Sequence, residues 1–301
     1  LFAIERECSA IISSKNLDSL IIPILGDIRD KKNLQYIFKK FHIDCVYHAA
    51  AYKHVPLVEY ESNLAKAAEN NILGTYYLAQ VSAAYQVSSF VMISTDKAVR
   101  PTNVMGATKR FAEIIIQSIN ADEDSTRFSM VRFGNVINSS GSVIPLFLDQ
   151  IAKGGPVTVT DKEVMRYFMT IPEASSLVLQ AGEISKGGEV FILDMGEQIK
   201  IYDLAKKIIH LSGRNYAETE GEDGIHILEV GLRPGEKMYE ELLISDSHTK
   251  TNNQKIFQAN ESFIESSKLE PIVAQMEECI KDYDISGILK ILTNNVEGFT
   301  R

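Results

Sequence analysis

Four consecutive side chains that carry protons or make hydrogen bonds, Ser94, Thr95, Asp96 and Lys97, follow the apolar run Phe90-Val91-Met92-Ile93. A carboxyl group and an amine on neighbouring residues supply both halves of acid–base chemistry, and the threonine hydroxyl beside them can relay a hydrogen bond. An acid must hold its proton and a base must lack one, which reverses the usual states of the two groups. Burial favours the neutral form of each, and the two are expected to titrate as a coupled pair. Further on, Met105, Lys109, Ala112 and Ile116 recur at helical spacing, so Met105 and Lys109 share a helix face. Lys109 sets a second cation near Lys97 and is expected to depress it further. The plain alternative is that Asp96 and Lys97 form a charged structural pair.

Such groups need a strand that ends, a loop and a helix that starts. Residues 90–93 predict a buried strand that delivers residues 94–97 to its carboxyl end, where open α/β sheets place ligands. Pro101 keeps the connection extended before the helix. The same alternation recurs on both sides. Residues 1–14 and 32–41 have helical rhythm, residues 20–25 read as a strand ending at Gly26-Asp27-Ile28, and residues 44–48 as a strand running into Ala49-Ala50-Ala51. Alanines at a strand end let a flat or charged ligand approach the backbone closely. Residues 70–75 open a helix, and residues 128–133 form the next strand, ending in RFGNV. There Asn135 offers donors and acceptors to the cleft.

Beyond Val136 the elements shorten. A helix is expected to start within 141–147, a strand to span 156–161, a helix 172–183, a strand 189–194 and a helix 201–211, with a helical tail from 267 packing on the second lobe. The expected fold class is α/β, a doubly wound parallel sheet of Rossmann-like type. Residues 1–135 are expected to be its main part, without its first strand and Gly-rich loop, and 136–301 a smaller α/β lobe, interleaved with it. Gly154-Gly155 and Gly187-Gly188 have neither the spacing nor the setting of a phosphate loop.

With 31 basic and 40 acidic residues in 301, the formal charge is −9 and no long basic run occurs, so nucleic acid is a poor partner. Cys8, Cys45 and Cys279 are odd in number and far apart, which fits a reduced cytoplasmic protein and neither a disulfide framework nor a metal site. No run approaches the ~20 apolar residues of a spanning helix.

The stretch STDKAVRPTNVMGATK over 94–109 resembles the extended short-chain dehydrogenase/reductase superfamily, and within it the nucleotide-sugar 4,6-dehydratases of bacterial polysaccharide and glycan synthesis. HAAAYKHVPLVE, RFGNV and LRPGEKMYEELL extend the likeness over nearly the whole chain. Most of that superfamily has Tyr four residues before the Lys; here it is Met105, as in a Met-containing subgroup of these dehydratases. The resemblance implies NAD as cofactor, bound by residues 1–135, and a UDP-sugar as substrate, bound by the 136–301 lobe, and a homo-oligomer is expected. It gives Asp27 the adenine amino group and Ile28 the adenine ring. It sets Lys53 near the cofactor ribose or substrate, Lys109 on the nicotinamide ribose, and Asn71 as a brace of the sheet. Ala49, Ala50 and Ala51 are expected to line the cofactor, whereas His54 reads as structural. Arg233 is assigned to the diphosphate and Glu236 to the uridine ribose. Arg166 is a second diphosphate cation, because a guanidinium binds phosphate oxygens in pairs. Asn135 is a candidate for a phosphate or sugar amide. Larger members carry upstream membrane-spanning segments, so a membrane anchor is expected only through a longer parent chain.

A 4,6-dehydration removes hydride from C4, eliminates the C5 proton with the C6 hydroxyl, and returns hydride to C6. The resemblance makes Asp96 the acid at O6 and Lys97 the base at C5. Met105 has no proton to exchange, so the C4 hydroxyl proton must pass through Thr95, water or Lys109. The reaction expected is 4,6-dehydration of UDP-N-acetylglucosamine with the C5 configuration kept. Inversion at C5 is the close alternative, and a binding module without turnover is the other.

Overall fold

The computed structural model describes residues 1–139, 141–219, 222–242 and 248–300. Its central sheet has six strands. Cys45–His48, Ser89–Ile93, Arg127–Arg132 and Val190–Leu193 lie side by side and parallel, and Ile256–Ala259 and then His248–Lys250 extend it antiparallel. The sheet is therefore mixed where a parallel one was expected. A short return between 250 and 256 permits only antiparallel pairing, since a parallel neighbour needs a crossover of a dozen residues or more. The inner strands are buried on both faces, which is why they read as unbroken apolar runs.

Helices cover both faces. Lys31–Lys40, Thr75–Ala84 and Val104–Ala121 pack Leu34, Phe38, Leu78, Ala112 and Ile116 onto Phe90, Met92, Phe128 and Met130. On the other face Ile171–Ile184 sets Leu177, Val178 and Ala181 against Val91, Val131 and Phe191. The Val104–Ala121 helix is enclosed on all sides because its far face, through Phe111, Ile114 and Ile115, is covered by Glu61–Ala68, Ser266–Lys281 and Ile285–Asn295. The helical tail thus packs on the first half of the chain and not on the second lobe: the apolar outer face of the central helix is what it covers.

Two more elements differ from expectation. Residues 20–25 form no regular element and pair with no strand, and Leu20 and Leu25 are exposed. A strand is stabilised by its ladder, and no strand of the described residues lies beside this segment. The helix expected to open at 70 starts instead at Glu61, and Glu69–Gly74 within it is a π-helical turn carrying Asn71 inward. A smaller parallel sheet, Tyr216–Ala217, Ile225–Glu229 and Val157–Val159, packs with helices Val143–Ala152 and Ile201–Leu211 around Phe147, Ile208 and Ile227. Leu243, the last residue of the LRPGEKMYEELL motif, lies outside the described residues. No helix of the described residues is long and apolar enough to cross a membrane.

Candidate active site

The Ser89–Ile93 strand ends at Ser94, and a single 3-10 turn over Asp96–Ala98 follows, with Thr95 Oγ1 accepting from the Lys97 backbone amide. The helix starts at Val104, capped by Asn103, whose side chain accepts from the Gly106 amide at 2.8 Å. A Cβ on Gly106 would lie 2.1 Å from the Lys97 carbonyl oxygen, so only glycine lets the helix start press against the turn. Turn and helix are thereby locked together, with Lys97, Met105 and Lys109 facing one cleft of about 580 Å³.

Asp96 is fully buried. Its Oδ1 accepts from Thr95 Oγ1 at 2.8 Å and from Lys97 Nζ at 2.9 Å, whereas Oδ2 has no hydrogen-bond partner among the described residues. Gly134 makes room for it, since a Cβ there would stand 3.1 Å from Oδ2. Lys97 Nζ also donates to Asn135 Oδ1 at 3.3 Å and lies 3.7 Å from Glu240 Oε1. Burial works to push Lys97 down, but Asp96 and Glu240 beside it outweigh burial and hold the ammonium above the ordinary lysine range. This corrects the expected depression of Lys97: the second carboxylate comes from a distant loop that the local sequence does not reveal. Lys109 does behave as a desolvated amine. Burial pushes it down to about 8 against the opposing pull of Glu113, and its Nζ donates to the Ile93 carbonyl at 2.7 Å.

Of the residues expected at the site, Ala49, Ala51, Lys53, Thr95, Lys97, Met105, Lys109, Asn135 and Arg233 line the cleft, and Asp96 sits just behind it. Asn71, expected to brace the sheet, braces a loop against a helix instead. Its side chain accepts from the Tyr52 amide at 2.8 Å and donates to the Tyr52 carbonyl and to Thr108 Oγ1, joining the 49–53 loop to the central helix. Arg166 and Glu236 do not line the cleft; they pair with each other at 3.1 Å, and Arg166 also donates to the carbonyls of Met165 and Met238. Glu236 accepts from Thr160 Oγ1 and from the Arg233 amide, which rigidifies the RPGEK turn. Asp27 lies apart from the cleft lining, its carboxylate chelated by the Arg29 side chain and amide, which holds it down to about 2; Ile28 packs toward the Leu34 cluster. Ala50 is exposed at the sheet edge. His54, read as structural, lines the cleft beside Gly141.

Two groups escaped the sequence reading. Glu240 is one, and its only signal is the alternation Met238, Glu240, Leu242, which turns a carboxylate inward with two apolar residues. The other is a buried cluster under the end of the Ser89–Ile93 strand. Glu113 accepts from Ser94 Oγ at 2.6 Å and from Arg132 at 2.8 and 2.6 Å, Arg110 Nη1 lies 3.1 Å from it, and Glu261 closes the cluster on both arginines. Burial works to raise Glu113, yet Arg132 and Arg110 hold it down to about 2. Arg110 and Glu113, opposite charges three apart on the Val104–Ala121 helix, are the legible trace. Among the described residues no group of acidic, histidine and cysteine side chains could hold a metal ion.

The fold recurs in solved proteins. The Pen protein of Bacillus thuringiensis matches with a TM-score of 0.73 at 36% identity over 90% of this chain and 86% of that one. The Streptomyces venezuelae dTDP-glucose 4,6-dehydratase DesIV, solved with NAD and TYD bound, matches with a TM-score of 0.61 at 20% identity over 72% of this chain and 69% of that one, a likeness of fold. Among curated proteins, the Staphylococcus aureus capsular polysaccharide biosynthesis protein CapD is 51% identical over 90% of this chain and 43% of its own length. The probable polysaccharide biosynthesis protein EpsC of Bacillus subtilis is 54% identical over 73% of the chain and 35% of its own. This chain thus spans less than half of those relatives. A UDP-N-acetylglucosamine 4,6-dehydratase (inverting) of Campylobacter jejuni is 34% identical over 80% of the chain and 66% of its own length. Because the family model described as polysaccharide biosynthesis protein matches residues 1–261, which carry the cleft and every group placed in it, the chain belongs to the polysaccharide biosynthesis protein family.

Proposed function

We propose that this chain is the catalytic part of a UDP-N-acetylglucosamine 4,6-dehydratase that keeps the C5 configuration and forms the UDP-4-keto-6-deoxy sugar. The observation that carries the reading is the Asp96–Lys97 pair, with Lys97 and Lys109 lining one cleft. Asp96 presents a buried carboxyl with an oxygen to spare for a leaving hydroxyl, and Lys97, which its two carboxylate neighbours favour as an ammonium, would take the C5 proton once it has given up its own. Lys109, a buried amine held at about 8, is partly neutral at mildly alkaline pH and supports its choice over Thr95 as acceptor of the C4 hydroxyl proton, which Met105 cannot take. Arg233 and Asn135 at the cleft wall would hold the diphosphate and the sugar amide. Arg166 and Glu236 would join them by exchanging their mutual ion pair for phosphate and ribose contacts.

The cleft fits the nicotinamide end of NAD. Ala49 and Ala51 permit close approach of a flat ring, and Lys109 spends one of its donors on a carbonyl, leaving others for ribose hydroxyls. Ala50 and Lys53 flank that end, and Asp27 and Ile28 would take the adenine. Bound NAD would accept hydride from C4 and return it to C6.

Retention at C5 is part of this reading, and inversion, the activity named for two relatives 34 and 35% identical to this chain, is its alternative. The test is an NMR spectrum of the product formed from UDP-N-acetylglucosamine by the full-length protein. The D-xylo 4-keto sugar is expected. An L-arabino product overturns retention, and binding of the UDP-sugar without any 4-keto product overturns catalysis in favour of a binding module.

A further inference from the structure

Glu240 reaches the catalytic pair from a loop more than a hundred residues away, and no role in the reaction described above calls for it. Its side chain is almost fully buried, yet it makes no hydrogen bond among the described residues. Oε1 stands 3.7 Å from Lys97 Nζ and 3.8 Å from Arg166 Nε, and Oε2 has no partner. A buried carboxylate kept for stability would be satisfied by short donors. Here the contacts are longer than hydrogen bonds, so what Glu240 contributes to Lys97 is charge. Three oxygens from three segments surround the ammonium: Asp96 Oδ1 at 2.9 Å, Asn135 Oδ1 at 3.3 Å and Glu240 Oε1 at 3.7 Å.

We propose that Glu240 is a positioning residue for Lys97, whose unpartnered carboxylate sets where the ammonium sits and how firmly it keeps its proton, and which ties that setting to Arg166. The groups that face Glu240 are Asp96 and Lys97 from the catalytic turn, Arg166 from the Met165–Arg166 strand and Lys237 from its own loop. Burial and Asp96 push the Glu240 carboxyl up, against Lys97, Arg166 and Lys237. The same closeness works on Lys97 in the opposite sense, because an ionised Glu240 favours the charged amine. Any anion that drew Arg166 away would leave Lys97 as the one cation paired with Glu240 among the described residues.

The sign of the test follows. Glu240→Gln keeps the shape, breaks no hydrogen bond and removes the charge, so the pH at which Lys97 is half-deprotonated should fall. A unit charge at 3.7 Å, through an effective dielectric of about 20, corresponds to roughly three pH units. Glu240→Asp withdraws the carboxylate by one methylene and should give a smaller fall. The readout is competitive acetylation of the full-length protein with acetic anhydride across pH, with Lys97 labelling followed by mass spectrometry and folding by circular dichroism. Midpoints in the order wild type, Asp, Gln from high to low are expected, with Lys109 unmoved. An unchanged Lys97 midpoint in either folded variant, or an Asp variant displaced further than Gln, overturns the proposal, and the Asp variant alone decides if Gln does not fold. The consequence for turnover rests on Lys97 acting as the C5 base: the rising limb of the pH–rate profile with UDP-N-acetylglucosamine should move by the same amount. Lack of any turnover in the wild type would sink the dehydratase reading and leave the labelling result to decide Glu240.

Discussion

Replacing Gly106 by alanine tests how the helix start positions the Asp96–Ala98 turn, to which we assign the acid and the base. The added methyl would stand 2.1 Å from the Lys97 carbonyl oxygen, 3.0 Å from its carbonyl carbon and 3.1 Å from Pro101 Cβ. The obstructing atom is backbone, so no side chain can swing aside, and a normal contact requires the turn and helix to part by about 1 Å. Overpacking of this kind costs about 1–3 kcal/mol, and the better helix propensity of alanine returns up to about 1 kcal/mol. A melting temperature lower by about 5 °C is expected, since ~1 kcal/mol corresponds to ~2–4 °C in domains of 150–250 residues. The same 1 Å displaces Lys97 from its partners, and a shift of that size can lower turnover ~10²-fold. Calorimetry and the rate of 4-keto sugar formation are the measurements. A variant that melts within 1 °C of wild type and turns over at the wild-type rate would refute the claim that this contact sets the turn.

Acid should destabilise the protein in two stages. Burial, with Lys109 nearby, holds His48 down to about 3, so the unfolded chain binds a proton that the folded one refuses and stability drops as pH falls from about 6.5 toward 3. Glu113, held down to about 2 by Arg132 and Arg110 despite burial, stabilises fully above the ordinary carboxyl range, and that contribution, on the order of 3 kcal/mol, is lost as pH falls through about 2. Urea titrations between pH 7 and 3 check this, and a flat stability over that range would contradict it. For the chemistry, Lys97→Ala should allow reduction of NAD by UDP-N-acetylglucosamine but no solvent deuterium at C5, whereas Asp96→Asn should still exchange C5 without losing the C6 hydroxyl. Full exchange in Lys97→Ala would remove Lys97 as the base.

What the sequence determined by itself was whatever depends on near neighbours. Buried apolar runs marked the Ser89–Ile93, Arg127–Arg132 and Val190–Leu193 strands, periodicity marked the Ile201–Leu211 helix to the residue, and a strand end followed by a helix start put Thr95, Lys97, Met105 and Lys109 in one cleft. Tertiary structure decided everything that rests on partners far along the chain. Residues 20–25 have strand composition and no strand, because a ladder needs a neighbour that composition cannot supply. The tail chose the outer face of the central helix, because burying Phe111 and Ile115 removes more apolar surface than its own pattern discloses. The charge of Lys97 was misjudged for the same reason. Desolvation can be anticipated from a strand end that must be buried, but the Glu240 carboxylate that outweighs it arrives from another loop, and electrostatic energy depends on distance in space, not along the chain.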